Sequence, residues 1–477
     1  MRLLVPASNM QRLSWEPTQC WLWRLGAEPL LLTTPYQLNP SLVSAEGRFL
    51  TTGSSAGKNT SVQIQAVDSD MMCESPQDVY AKYLPSNHGY PLWFPEPSST
   101  LPSSYKADGL QIGDVGYVDG DGAFNVLFNI SFRPNHALNQ RLGVSSTFDP
   151  VGLDANYDVN VKLNAIPLGC SITSPGITQP TQTSQRVGHY EFTPSSTKGA
   201  ILILPDGAAS YNLSAPANER FRKLAMEHAF DWYQIVQEHC GESVRNGSLY
   251  LLTGFYKAPS WSLASFHDGT GTEDRHIWVV PREGERKAAG RVWRHTFPLQ
   301  YRDGPESAQY GSVNQTVFIR GFKIAVRDDV LGWLSQKPDL LPVPAVPPRK
   351  APCGFARFLV RLLGKKNTSK RRHKVDGTAD VNHVPRLSQP FHPSDNINRY
   401  LLDKDPNALV AVTHDSEWMT LIETGELSPG DLTQRDRLEK ALSKYYSLHS
   451  QPEDSAVCLQ GNRMSVALID ICGRASN

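Results

Sequence analysis

The sequence predicts an α+β fold, in which a large β-rich domain is covered by one long helix. The main observation is a series of β-branched and aromatic runs between residues 85 and 330, separated by turn residues as in antiparallel sheets. A second observation is that residues 214–240 repeat their apolar side chains at helical spacing. The third is composition: among 477 residues, 40% are hydrophobic, and Gly and Pro number 35 each, which suits a sizeable core with many turns.

The chain divides into four predicted parts. We expect residues 1–80 to form a flexible N-terminal extension, because they are rich in small and polar residues and show no clear hydrophobic period. Residues 85–330 are predicted to form the β-rich α+β domain. Residues 336–392 read as a basic, Pro-rich linker, and residues 393–477 as a small mixed α/β segment.

The clearest predicted hairpin joins the segments 112–118 and 123–132. The residues Asp119-Gly120-Asp121-Gly122 between them tolerate the positive φ angles of a tight turn. A period of two predicts that four apolar residues share one face of the second strand: Phe124, Val126, Phe128 and Ile130.

The remaining elements of the large domain follow from similar patterns. Further strands are predicted at 156–163, 189–193, 200–204, 248–255, 275–280, 291–297 and 313–327. The long helix should begin at Ser214, whose side chain can cap it, with Pro216 in its first turn. Gly241 is a plausible stop.

The C-terminal segment is predicted to mix helices and strands. Its predicted helices are 394–402, 417–423 and 433–448, and its predicted strands are 408–413 and 464–471.

Overall charge and cysteine usage narrow the function classes. The 47 basic residues balance the 47 acidic ones, so nucleic acid is not expected as a partner. The seven cysteines form no CxxC pair, which fits neither a zinc site nor a secreted disulfide framework. Neither a signal peptide nor a membrane span is evident. We therefore expect a soluble protein of the cytoplasm, with the nucleus as an alternative.

Motifs of known chemistry fail at named positions. Residues Gly53–Lys58 match the G-x-S-x-G elbow, but the following residues do not predict the helix it needs. A phosphate loop would need Gly at Thr52 and a hydroxyl at Asn59. A calcium loop starting at Asp119 would need Glu at Ile130. No catalytic residue, cofactor or metal site is therefore assigned.

Two His-containing pairs keep an enzyme of unrecognised type open. His228 and Cys240 lie on the predicted long helix, where packing is the alternative. His414 and Asp415 follow a predicted strand at its carboxyl end, where open α/β sheets hold ligands. Helix capping is the alternative for this second pair.

Residues 255–261 are predicted to form a loop that carries aromatic side chains and a lysine. Tyr256, Lys257 and Trp261 are its candidate contacts to a ligand or partner. The alternative is that Trp261 packs inside the domain.

The linker carries the strongest interaction signal. Its apolar residues recur at helical spacing and are flanked by basic ones, which predicts a basic amphipathic helix over 355–366. A basic run at 370–374 follows and is typical of nuclear import or phosphate contact. The alternatives are that the helix docks on its own domain and that the basic run is a solvated linker. The candidate interaction residues are Phe355, Phe358, Leu359, Leu362, Arg357, Arg361, Lys365, Lys366, Lys370, Arg371 and Arg372.

Three phrases of the sequence carry a resemblance. They are Ile112-Gly113-Asp114-Val115-Gly116 leading into the next strand, residues 249–261, and His392-Pro393-Ser394 with Val412-Thr413-His414-Asp415. Together they resemble a family of uncharacterised proteins from mushroom-forming fungi, over residues 85–330 and 390–425. The resemblance implies no activity, and residues 1–80 depart from it.

These observations favour an intracellular binding or regulatory protein that is not an enzyme. A protein partner is expected, contacted through the linker. Association with an anionic membrane through the amphipathic helix 355–366 is the first alternative, and an enzyme of unrecognised type is the second.

Overall fold

The computed structural model describes residues 74–144, 149–180, 188–240, 244–267, 275–282, 291–305, 312–330, 390–451, 453 and 455–462. These residues combine helices with three β-sheets, which confirms the α+β class and its β-rich character. Residues 1–73, nearly all of the predicted linker and the predicted strand 464–471 lie outside them.

The described residues form the following helices and strands. The helices are α1 (Pro76–Tyr83), α2 (Ser103–Asp108), α3 (Ala137–Arg141), α4 (Ala215–Cys240), α5 (Pro393–Lys404), α6 (Asp415–Glu423) and α7 (Arg435–Tyr445), with a 3-10 helix at Pro429–Thr433. The strands are β1 (Tyr90–Pro91), β2 (Asp114–Val118), β3 (Phe124–Asn129), β4 (Val159–Ile166), β5 (Cys170–Thr173), β6 (Ile177–Thr178), β7 (Tyr190–Pro194), β8 (Lys198–Leu204), β9 (Ala208–Leu213), β10 (Leu249–Ala258), β11 (Trp261–His267), β12 (Ile277–Pro281), β13 (Arg291–His295), β14 (Gln300–Gly304), β15 (Gln315–Val326), β16 (Val410–His414), β17 (Tyr446–Gln451) and β18 (Ala456–Gly461).

The main sheet has ten strands and includes the C-terminal segment. Its strand order is β17-β18-β16-β15-β10-β2-β3. In addition, β1 pairs with β15, β9 pairs with β10, and β4 pairs with β9. The antiparallel pairing of β15 with β16 joins Phe322 to His414 and Val326 to Val410. Residues 393–461 therefore complete the sheet of the β-rich domain instead of standing apart from it.

Helices cover both faces of the main sheet. On one face, α4 packs Phe221 and Trp232 over Phe322 and Ile324. On the other face, the helices α5, α6 and α7 form a second core with the opposite side of β10 and β15. The long predicted helix is thus confirmed, and its apolar stripe faces the sheet as the helical spacing requires.

The two smaller sheets form a sandwich beside the main sheet. Their orders are β14-β11-β8-β5 and β13-β12-β7-β6. Ile201 and Phe266 of the first pack against Phe192 and Ile277 of the second. The opposite side chains of β8 are also buried, which explains why its apolar run shows no alternation.

Helix α1 begins inside the segment expected to be a flexible extension. Ser75 caps it by accepting from the Asp78 N–H at 3.2 Å, and Val79 and Tyr80 are buried against the rest of the domain. The predicted extension therefore ends before residue 76, because apolar burial anchors these residues.

The β2–β3 hairpin is confirmed, but the prediction that four apolar residues share one face is wrong. Phe124 and Val126 pack in the core beside α5, whereas Phe128 and Ile130 pack beneath α4. The register shifts here because Leu127 is an extra residue opposite Val115 and Gly116. Such a bulge reverses the side-chain alternation.

Candidate functional site

The predicted interaction residues of the linker lie outside the described residues. They are Phe355, Phe358, Leu359, Leu362, Arg357, Arg361, Lys365, Lys366, Lys370, Arg371 and Arg372. The same holds for Gly53–Lys58 and for the side chain of Cys240. The role of the basic helix and the pairing of His228 with Cys240 therefore stay predictions.

The predicted contact loop is a short turn that joins β10 of the main sheet to β11 of a smaller sheet. Tyr256 and Lys257 belong to β10 and Trp261 begins β11, with exposed fractions of 9%, 5% and 0%. The Trp261 indole donates to the Gln315 side-chain oxygen at 3.4 Å. These residues lie in strands and are buried, so their side chains pack inside the protein and not in an exposed loop.

Lys257 shows how such a charge is held inside. Its ammonium donates to the Asp108 carbonyl and lies 4.3 Å from the centre of the Phe255 ring. Burial lowers the pKa of Lys257 to about 8, although Asp114 and Asp108 oppose that change. The aromatic face offsets part of the desolvation through a cation–π contact.

Asp415 is the centre of a buried polar junction. Its Oδ2 accepts from the Tyr250 hydroxyl and from the Gly321 N–H at 3.1 Å, and its Oδ1 accepts from the Trp418 indole at 3.0 Å. Burial raises the pKa of Asp415 to about 6, although these hydrogen bonds lower it. One carboxyl group thus ties β10, β15 and α6 together.

His392 reaches the same junction from the start of α5. Its Nδ1 accepts from the Ser394 N–H at 3.2 Å, so we assign the ring proton to Nε2, 3.6 Å from Asp415 Oδ1. The ring stacks on Tyr90 with centres 4.4 Å apart. Burial holds the pKa of His392 well below its ordinary range. This neutral imidazole beside a buried carboxyl group anchors α5 on the sheet.

His414 acts as the cap of α6. Its Nδ1 accepts from the Ser416 N–H at 3.2 Å, and its Nε2 lies 2.9 Å from the Thr253 hydroxyl. Burial, with Arg222 and Arg320 nearby, lowers the pKa of His414 to about 3, so the ring is neutral at ordinary pH. With both ring nitrogens engaged, this geometry fits a capping role better than a catalytic base.

A cavity of about 400 Å³, called here the α5 cavity, lies alongside α5. Its walls are the turn before β10, the end of β15 and one side of α5. Its charged lining residues are Arg245, Arg327, Asp328, Asp395, Arg399 and Asp403. The volume falls within the roughly 300–1,000 Å³ of small-molecule sites.

The turn before β10 keeps the cavity open. Asn246 accepts from the Val326 N–H at 2.9 Å and donates to the Val326 carbonyl, which fixes the turn to the end of β15. Gly247 follows with a φ of +81°, a conformation that favours glycine. A Cβ there would lie 4.0 Å from Asp395 Oδ1, so a larger side chain would enter the cavity.

Sequence reasoning missed the α5 cavity, although two of its signals were readable. Asp395, Arg399 and Asp403 recur every four residues, which places them on one side of a helix. Asn246-Gly247 is a turn signal. No local pattern indicates that this turn and this helix meet, because they are far apart in the chain.

No protein-family model matches the chain, and no curated protein matches it significantly. Within the described ranges, no helix is long and apolar enough to cross a membrane. In the same ranges, no three His, Cys, Asp or Glu residues are grouped as a metal site. The α5 cavity is therefore interpreted from its own residues.

Proposed function

We propose that this protein is a non-enzymatic binding or regulatory protein and that the α5 cavity is its recognition site. The cavity carries this proposal, because it combines charged side chains with the apolar Ala325, Phe391 and Leu402. Ligand sites commonly pair apolar walls with a few polar groups that orient the ligand. Here the walls belong to the turn before β10, the end of β15 and helix α5, and buried contacts hold α5 on the sheet.

An enzyme of unrecognised type remains the alternative, with His414 and Asp415 as its residues. Their hydrogen bonds account for both residues, as a helix cap and as the centre of a junction. Neither residue lines the α5 cavity. Binding is therefore the function that the geometry supports better.

A cavity-filling substitution tests the proposal. Ala325 lies at the cavity wall, so Ala325→Leu should reduce the volume, while Ala137→Leu adds the same carbons at an exposed position on α3. A panel of small anions, cations and neutral metabolites is screened by thermal shift against all three proteins. We expect a compound that stabilises the wild type and Ala137→Leu but not Ala325→Leu. If no compound stabilises the wild type, or each does so equally in all three, the proposal is wrong.

The predicted linker supports a protein partner and a cytoplasmic or nuclear location. Its basic amphipathic helix and basic run are the reasons for that part of the proposal. Deleting residues 355–374 should alter localisation or partner recovery, and no change in either would contradict it. Flotation with anionic liposomes at low salt tests the membrane alternative, which the absence of binding would exclude. Membership of the fungal family that the chain resembles stays a proposal and adds no activity.

A further inference from the structure

Two of the three acidic groups around the α5 cavity are neutralised by residues outside its lining. Asp395 Oδ1 lies 3.4 Å from the Lys323 ammonium, whose side chain is only 6% exposed. Asp403 Oδ2 lies 2.6 Å from the Arg435 guanidinium on α7, which also lies 2.6 Å from Glu439 Oε1. Both carboxylates are thus paired with cations that lie outside the cavity lining.

The two charged residues at the end of β15, Arg327 and Asp328, form hydrogen bonds with neighbouring groups. Arg327 donates to the carbonyls of Ala408, Leu402 and Asp405 at 3.0, 2.8 and 2.9 Å. Asp328 accepts from the Asn246 amide at 2.7 Å. These contacts fix both side chains in place at the rim of the cavity.

Arg245 and Arg399 are left as the uncommitted cations. Both are exposed, and within the described residues neither guanidinium group has a hydrogen bond or an ion pair. Arg399 interacts with Asp395 only through its charge. Counting Lys323, Arg435 and its second partner Glu439 with the six charged lining residues gives five cations against four carboxylates. The surroundings of the cavity thus carry a net charge of +1.

We propose that the α5 cavity binds a ligand through its anionic group, a carboxylate or a phosphate, held by Arg245 and Arg399. This inference rests on the proposed binding function and specifies its ligand class. Guanidinium groups suit both anions, because their parallel N–H donors match two oxygens of a carboxylate or phosphate. The apolar wall of Ala325, Phe391 and Leu402 would receive the rest of the ligand.

Calorimetric titration with inorganic phosphate and with succinate, at constant ionic strength, tests the assignment on the full chain. The variant Arg245→Gln/Arg399→Gln removes both cations, and Arg133→Gln removes an exposed one elsewhere. We expect the double variant to bind about tenfold more weakly or worse, and Arg133→Gln to bind as the wild type does. The anion that binds more tightly identifies the group. Because both arginines are exposed, the variants should fold, which circular dichroism and the melting temperature check.

Other outcomes separate this inference from the proposed function. Equal weakening in Arg133→Gln would mean unspecific attraction of anions and would overturn the inference. If neither anion binds, the anion assignment is wrong, yet a neutral or cationic compound sensitive to Ala325→Leu would still support a binding cavity. Anion binding that Ala325→Leu leaves unchanged would place the site elsewhere and overturn both.

Discussion

Glu417 is a buried carboxyl group with little compensation for its charge. Neither of its side-chain oxygens has a hydrogen-bond partner in the described part of the chain, and the nearest cation, Arg222, lies 3.9 Å away. Burial therefore raises the pKa of Glu417 to about 8, although Arg222 lowers it. At neutral pH the folded protein holds this group largely in its uncharged form.

The pH dependence of stability follows from that shift. An unfolded chain ionises Glu417 near pH 4.5, whereas the folded state keeps the proton up to about pH 8. The free energy of unfolding therefore falls as the pH rises between these values, and the loss is complete above pH 8. Glu417→Gln cannot ionise, so relative to the wild type it should gain roughly 2–4 kcal/mol between pH 4.5 and pH 9.

Urea unfolding of the wild type and Glu417→Gln at both pH values measures this gain. The exposed Glu453→Gln is the matched control and should show the same difference from the wild type at pH 4.5 and pH 9. If Glu417→Gln also shows no pH-dependent difference, Glu417 is ionised and paired with Arg222 at neutral pH.

At the scale of single elements, the β2–β3 turn is stabilised by one carboxylate. Asp119 accepts from the N–H groups of Asp121 and Ala123, both at 3.0 Å, and from the Asn125 amide at 2.6 Å. All three donors belong to the chain itself. The acidic turn is therefore explained by its own hydrogen bonds. A calcium loop starting at Asp119 would also need Glu at its twelfth position, where Ile130 stands.

Asp119→Ala should lower the free energy of unfolding by about 1–3 kcal/mol, because three donors lose their acceptor. Asp121→Ala, at the exposed neighbouring position, should cost much less. Unfolding in urea with added calcium or with EDTA measures both effects. A free energy of unfolding that depends on calcium in the wild type but not in Asp119→Ala would instead identify a calcium site.

The elements that the sequence predicted are those specified by local pattern. Helix α4 repeats its apolar residues over seven turns, and the hairpin has its own turn residues. Two errors arose where tertiary pairing overrides local pattern. The bulge at Leu127 reverses one strand's faces, and residues 446–448, expected to be helical, pair with β18 in the sheet. The α5 cavity was missed for the same reason, since its walls come from distant segments.

At the scale of the whole molecule, the main sheet draws its strands from both sides of the segment 331–389. Lys323 and Thr413 are paired neighbours on β15 and β16, and Asn398 of α5 bonds to both, at 3.1 and 2.5 Å. Asp415 adds its hydrogen bonds to Tyr250 and Gly321 at the same boundary. These contacts, with the apolar cores on both faces, do not depend on the covalent link between β15 and α5.

If the chain is cut between residues 331 and 389 at an inserted protease site, the two fragments should therefore stay associated. The two pieces share a β-ladder and two buried cores, so they should co-elute on gel filtration and unfold in a single transition. The melting temperature should fall and become dependent on concentration, because the cut turns an intramolecular contact into an association. Asp415→Ala leaves the Tyr250 hydroxyl and the Trp418 indole without their buried acceptor, so it should promote dissociation of the cut protein. Separation of the wild-type pieces under native conditions would show that β16, β18 and α5 form an independent body.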